Sequence, residues 1–122
     1  MGKLILDVGQ CGFDGPRLRR MLREKLEAEV DCAETLVEAV QKLETMPYNL
    51  VLVNRVLNKD RSSGLAVIEA VRKTRADAKV MLVSDRAEAQ KEAIKLGALP
   101  GFGKAALQDQ KTVEMIGAAL GR

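Results

Sequence analysis

The chain has 122 residues, a formal net charge of +3, and one Tyr, two Phe and no Trp. This length suits one domain, and we expect residues 1–122 to form a single domain with its own core. The absence of His excludes a Ser-His-Asp triad, a His-based zinc site and phosphotransfer from a histidine of this chain. The mild positive charge and the scarcity of aromatic stacking groups give little support to nucleic-acid binding.

The cysteine pattern and the hydropathy exclude several other classes. Cys11 and Cys32 lack CxxC spacing, so neither a disulfide scaffold nor a metal cluster is expected. No stretch approaches the roughly 20 apolar residues of a membrane-spanning helix, and the N-terminal apolar run is too short for a signal peptide. We therefore expect a cytoplasmic protein without membrane association, metal or cofactor.

Short apolar runs typical of β-strands alternate with segments of helical periodicity along the chain. In chain order, strands are predicted over residues 3–8, 29–32, 48–53 and 79–84, with a weak fifth strand around 101–102. Helices are predicted from the apolar faces within residues 18–26, 36–43, 65–71, 89–96 and 113–120. Residues 50–53 and 80–83 are apolar at every position, which is typical of parallel strands covered by helices on both faces. The pattern predicts an α/β doubly wound fold.

In such a fold, ligands and partners meet the carboxyl ends of the strands. The residues at those ends are therefore the candidates for a functional site. They are residues 8–12, 32–34, 54–55, 84–85 and 103–104.

Several of these residues lie in motifs that resemble those of response-regulator receiver domains, the CheY-like phosphoacceptor modules of two-component signalling. The run 48–54 is similar to the family's third strand, which ends in the phosphorylated Asp, and Gly64-Leu65 is similar to the start of the next helix. The run 80–84 is similar to the fourth strand, which ends in the Ser or Thr that contacts the phosphoryl group. Residues 93–98 are similar to the end of the fourth helix, and Lys104 falls where the fifth strand delivers its Lys. The resemblance implies a flavodoxin-like (βα)5 fold with a parallel five-stranded sheet in the order 2-1-3-4-5.

Three positions depart from the family pattern. Asn54 occupies the phosphoacceptor position, and Val8 and Gly9 occupy the positions of the acidic pair that binds Mg²⁺. A neutral amide is not the ionised nucleophile that an acyl phosphate requires, and Mg²⁺ prefers carboxylate oxygens. Asp7 is displaced by one residue and should point away from the pocket, and Asp14 is predicted to be the N-cap of the first helix. The resemblance thus implies a degenerate receiver with no catalytic residue and no metal site.

What remains of the phosphorylation pocket is Asn54 with the vestigial phosphate-contact positions Ser84 and Lys104. One interpretation is that these groups are satisfied by one another and by water. The other is that the pocket is electropositive and holds an anion, because Lys104 would lack a counter-charge.

A partner surface is a separate question. The first helix carries a basic side that includes Arg17 and Arg20, which is either a solvated face or a docking surface for an acidic partner. Phe102 lies one residue after the family's aromatic switch position, Gly101. Phe102 is therefore either a core or rim residue or part of a partner surface.

The sequence favours a non-enzymatic, phosphorylation-independent interaction module in phosphorelay-type signalling. It would dock through its fourth helix, fifth strand and fifth helix or through its basic first helix. The partner would be a histidine kinase, a fused output domain, a downstream signalling protein or a second copy of the chain, without nucleic acid or membrane. The alternative is an anion or small-molecule sensor that uses the vestigial pocket.

Overall fold

The computed structural model describes residues 3–121, within which five parallel strands form one sheet in the order β2-β1-β3-β4-β5. The strands are β1 (Leu4–Val8), β2 (Glu29–Ala33), β3 (Leu50–Asn54), β4 (Val80–Val83) and β5 (Leu99–Phe102). The helices are α1 (Asp14–Leu26), α2 (Leu36–Thr45), α3 (Gly64–Thr74), α4 (Ala87–Lys95) and α5 (Gln110–Ala119). These elements confirm the predicted flavodoxin-like (βα)5 fold.

The sheet separates two apolar cores. Every residue of β3 and β4 is buried, and successive side chains of a strand point to opposite faces. Leu82 therefore packs in the core beneath α2, α3 and α4, whereas Met81 packs in the core beneath α1 and α5. This double burial explains why these strands are apolar at every position.

The helix starts agree with the sequence at one predicted cap and disagree at another. Ser63 caps α3, because its Oγ accepts a hydrogen bond from the backbone N–H of Leu65 at 3.2 Å. Asp14 is not the N-cap of α1, and that prediction is wrong. Asp14 is the first helical residue, and Phe13 precedes it without a side-chain capping bond. The Asp14 carboxylate contacts other groups, which are described below.

β5 is longer than predicted and pairs irregularly with β4. Met81 pairs with Leu99 and Val83 with Phe102, with a register shift between these pairs. At this shift, the side chain of Gln90 bonds to both strands. It accepts a hydrogen bond from the Gly101 N–H at 3.1 Å and donates one to the Leu82 carbonyl at 2.9 Å. The β4–β5 pairing and the Gln90 bonds join separate segments of the chain, so no local sequence pattern predicts them. Within β5 itself, Pro100 and Gly101 weaken the strand signal.

Among the helices of residues 3–121, none is both long enough and apolar enough to cross a bilayer.

Gly64 joins α3 to the end of β3 at very short range. A Cβ there would overlap the backbone carbonyl oxygen of Asn54, and the Gly64 N–H donates to the Arg55 carbonyl at 2.6 Å. The space between the start of α3 and the end of β3 therefore admits only glycine without a backbone shift.

We expect Gly64→Ala to lower the free energy of unfolding by about 1–3 kcal/mol, although Ala normally stabilises a helix relative to Gly. Urea unfolding followed by circular dichroism measures the change. Gly12→Ala is the matched control, because a Cβ at Gly12 meets no atom within 4 Å, and it should change the same quantity by less than about 1 kcal/mol. Equal effects of the two substitutions would contradict the steric explanation.

Candidate functional site

A cavity of about 330 Å³ lies at the carboxyl ends of β3 and β4. The structure places Asn54, Ser84 and Lys104 together in its lining, although they come from three different segments of the chain. Parallel strands present their carboxyl ends at one edge of the sheet, which explains this convergence. The other lining residues are Cys11, Arg55, Val56, Asn58, Arg61, Val83, Asp85 and Arg86.

Asn54 is the last residue of β3 and is 5% exposed. Its side-chain Nδ2 donates a hydrogen bond to the backbone carbonyl of Gly9 at 2.9 Å. The backbone N–H of Asn58 donates to the same carbonyl at 3.0 Å. An ionised aspartate at this position has no proton to donate and could not make the Gly9 bond. The amide therefore ties the end of β3 to the segment that follows β1.

The two positions at the carboxyl end of β1, Val8 and Gly9, supply no carboxylate to the cavity. Val8 is completely buried in the core beneath α2, α3 and α4. Gly9 has a φ of +77°, and a Cβ there would overlap the side chain of Leu57. A side chain at position 9 therefore needs both a strained backbone and a displaced Leu57. Within residues 3–121, no group of three or more His, Cys, Asp and Glu side chains is placed to hold a metal ion.

Ser84 is 7% exposed and is engaged with the turn that follows β4. Its Oγ accepts from the backbone N–H of Arg86 at 3.1 Å, and its own N–H donates to the Phe102 carbonyl at 2.8 Å. Among the hydrogen bonds of residues 3–121, none joins Asn54, Ser84 and Lys104 to one another. The direct bonding among these three groups that one interpretation predicted is therefore not present, since Asn54 bonds to Gly9, Ser84 to Arg86 and Lys104 contacts Asp14.

Lys104 begins a short 3₁₀ helix, Lys104–Ala106, after β5. Its Nζ lies 3.4 Å from Oδ2 of Asp14, so the prediction that Lys104 lacks a counter-charge is wrong. The Asp14 carboxylate also accepts a hydrogen bond from Cys11 Sγ at 3.4 Å and lies 3.7 Å from the Arg17 guanidinium. A carboxylate at the first turn of a helix is favoured by the helix dipole. This contact replaces the predicted capping role of Asp14.

Asp7 points away from the cavity, as the alternation along β1 predicts. It is 2% exposed, and its Oδ2 accepts a hydrogen bond from the Arg19 guanidinium on α1 at 3.0 Å. Its Oδ1 has no hydrogen-bond partner within residues 3–121. Burial raises the pKa of Asp7 from 3.8 to about 6, and Arg19 opposes this rise.

The predicted partner-surface residues fall into two groups. Phe102 is 6% exposed and packs in the core beneath α1 and α5, so its assignment to a partner surface is wrong. The register shift in β5 turns this ring inward. Arg17 and Arg20 on α1 reach solvent, and the Arg17 guanidinium lies 5.0 Å above the ring of Phe13. Phe13, which sequence reasoning did not select, is 71% exposed.

Sequence reasoning also missed half of the cationic lining of the cavity. Arg55 and Lys104 belonged to the candidate set, but Arg61 and Arg86 lie in the connecting segments beyond the predicted strand ends. Their position after two adjacent strand ends was the only available signal, because no local motif predicts where a loop arginine points.

Solved structures with a closely similar fold were found. A putative response regulator from Chloroflexus aurantiacus has a TM-score of 0.87 and 18% identity, with full coverage of both chains. A CheY-like receiver domain protein from Methanospirillum hungatei has a TM-score of 0.77 and 25% identity over 99% of this chain and 95% of that chain. The chain has the fold of response-regulator receiver domains. No protein-family model matches the sequence, and no curated protein matches it.

Some neighbours with this receiver fold are longer proteins. The chain spans 66% of a response regulator from Burkholderia pseudomallei, with a TM-score of 0.75 and 23% identity over 97% of this chain. That protein was solved with a phosphorylated aspartic acid, a calcium ion and citrate. The chain spans 27% of NtrX from Brucella abortus, with a TM-score of 0.86 and 22% identity over 99% of this chain.

The buried Asp7 carboxyl should make stability depend on pH. Its pKa is higher in the folded chain than the ordinary value of 3.8, so the folded state holds the proton more tightly. This contribution to the free energy of unfolding is present below pH 3.8 and is lost as the pH rises through about 6. As the pH rises from about 4 to 7, we expect the free energy of unfolding of the wild type to fall by roughly 2–3 kcal/mol relative to that of Asp7→Asn.

Urea unfolding of the two proteins across that pH range measures the difference. Asp77→Asn is the matched control, since its carboxylate is 85% exposed, and it should keep the wild-type pH dependence. Parallel pH profiles for the wild type and Asp7→Asn would contradict the burial argument.

Proposed function

We propose that the chain is an atypical receiver domain that acts in two-component signalling as a phosphorylation-independent protein-interaction module. The observation that carries this proposal is the hydrogen bond from the Asn54 amide to the Gly9 carbonyl. At the end of β3, a neutral donor occupies the place where the resemblance to receivers requires an anionic nucleophile. The receiver fold of the structural neighbours supports the pathway.

The chemistry of phosphoryl transfer supports the same conclusion. An acyl phosphate forms on an ionised carboxylate oxygen, and the amide of Asn54 is neutral. Mg²⁺ takes carboxylate and carbonyl oxygens, whereas Val8 is buried among apolar side chains and Gly9 has no side chain. We therefore propose that the chain is not an enzyme, needs no cofactor and acts in the cytoplasm as a constitutive binding surface.

The surface best suited to docking lies at the start of α1. It consists of Phe13, Arg17 and Arg20, which we call the α1 surface. An exposed ring beside cationic side chains offers apolar area and charge together, and aromatic and Arg side chains dominate the energetics of many interfaces. Its charge favours an acidic partner. A histidine kinase, a fused output domain or a downstream signalling protein with an acidic face would fit it.

Site-specific photo-crosslinking tests docking at the α1 surface. With a benzoylphenylalanine in place of Phe13, we expect a discrete protein adduct in an extract of the cells that make this protein. The adduct should form equally with acetyl phosphate and Mg²⁺ or with EDTA, since the surface does not depend on phosphorylation. The measurement is adduct yield on a denaturing gel, followed by identification of the partner by mass spectrometry.

The matched control carries the probe at Val37, which is 63% exposed on α2 and should give no such adduct. An adduct between two copies would identify a homodimer. An adduct that requires acetyl phosphate, or one that forms equally at Val37, would contradict the proposal.

A further inference from the structure

Three arginines that line the cavity have no anionic partner in the part of the chain that the structure describes. Arg55 follows β3, Arg61 lies in the loop after it, and Arg86 follows β4. Within residues 3–121, none of the three guanidinium groups forms a salt bridge or donates a hydrogen bond, whereas Arg19 and Lys104 each contact a carboxylate. The cavity thus gathers positive charge that the protein does not neutralise.

The acidic groups near the cavity do not remove this excess. Asp85 is the one carboxylate in the lining among the described residues, and its Oδ2 accepts a bond from the Ala105 N–H at 3.3 Å. Asp14 is engaged by Lys104 and Arg17 at the other side of the site. Arg55 is half-buried, and Arg61 and Arg86 are exposed. Like charges that line one cavity repel one another, so the three arginines favour an anionic ligand.

The loop that carries Arg55 and Arg61 is held in a defined conformation. Arg61 adopts a left-handed backbone with φ of 61°, and its N–H donates to the Leu57 carbonyl at 3.0 Å. The Leu57 N–H in turn donates to the Ser62 carbonyl at 2.9 Å, and the Ser62 N–H donates to Asp60 Oδ1 at 3.0 Å. A non-glycine residue keeps this conformation only when its surroundings hold it there. The loop therefore fixes where the two arginine backbones lie before any ligand binds.

A second cavity lies next to the first and shares these three arginines with it. It measures about 370 Å³, and Arg55, Arg61 and Arg86 line both cavities. Its remaining wall combines apolar and acidic side chains, namely Val56, Ser63, Leu65, Glu88, Ala89 and Glu92. A ligand could place an anionic group at the arginines and a less charged body, with hydrogen-bond donors, in the second cavity.

We propose that the arginines Arg55, Arg61 and Arg86 form a binding site for the phosphate group of a small molecule. Guanidinium groups donate paired N–H bonds to phosphate oxygens, and a dianionic phosphate offers more acceptor oxygens than a carboxylate does. Ser84 adds a hydroxyl hydrogen, because its Oγ accepts from the Arg86 N–H and can still donate. This site goes beyond the interaction function and does not depend on it.

Isothermal titration of the full chain tests the site with two probes, inorganic phosphate and adenosine monophosphate, at constant ionic strength in chloride. We expect saturable binding of at least one probe. Arg55→Gln and Arg86→Gln should each weaken binding by roughly 10-fold or more, since each removes charge-assisted hydrogen bonds. Tighter binding of the nucleotide would assign the second cavity to the organic part of the ligand, and equal affinities would assign the site to free phosphate.

The matched control is Lys91→Gln, which removes one exposed positive charge from α4 outside both cavities and should bind as the wild type does. Arg55→Lys keeps the charge but loses the paired geometry, so it should bind more weakly than the wild type. The far-ultraviolet circular dichroism of each variant confirms that it is folded. The proposal is overturned if neither probe binds saturably at millimolar concentration, or if Lys91→Gln weakens binding as much as Arg55→Gln. A failure here leaves the crosslinking result at Phe13 unaffected.

Discussion

The hydrogen bond between the Asn54 side-chain amide and the Gly9 carbonyl organises the carboxyl edge of the sheet. It joins the end of β3 to the segment after β1 at a distance of 2.9 Å. Because Gly9 has a left-handed backbone, it packs directly against Leu57, and Asn58 bonds to the same carbonyl. At the end of the loop that follows β3, the backbone of Gly64 packs against the Asn54 carbonyl. The neutral donor at position 54 thus connects the end of β3 to the segment after β1, next to the loop that carries Arg55 and Arg61.

This arrangement changes the charge balance of the site relative to the receiver pattern that the sequence resembles. Carboxylates are missing at the three positions Val8, Gly9 and Asn54, and the nearby acid Asp14 is committed to Lys104. The positive charge that lacks a carboxylate partner lies on Arg55, Arg61 and Arg86, and not on Lys104. This charge balance is the basis for our two proposals, a phosphorylation-independent domain and an anion site at the arginines.

The fold was largely predictable from the sequence because its signals are local. The uninterrupted apolar runs in β3 and β4 reflect burial on both faces, and the alternation of strand and helix fixes the class. β5 was weakly predicted because its pairing depends on Gln90, whose side chain bonds across the register shift. That contact joins separate segments, and no local pattern records it.

The site was only partly predictable, for the same reason. The resemblance located Asn54, Ser84 and Lys104, and the structure places all three at one cavity. Their actual partners were not foreseen, since the contact between Lys104 and Asp14 joins two segments that are far apart in the sequence. The place of Arg61 in the lining was not foreseen either, because it depends on the conformation of its loop. Alternation along a strand was sufficient for Asp7. For Phe102, the sequence left a core position and a partner surface open, and the structure places it in the core next to the register shift of β5.

The most direct test of the central claim is the intact mass of the chain after incubation with acetyl phosphate and Mg²⁺. A receiver with an aspartate phosphoacceptor, treated in parallel, shows that the reagent is active. Since Asn54 offers no ionised nucleophile, the account predicts that the mass of this chain does not change. A mass increase of one phosphoryl group that maps to the end of β3 would contradict it.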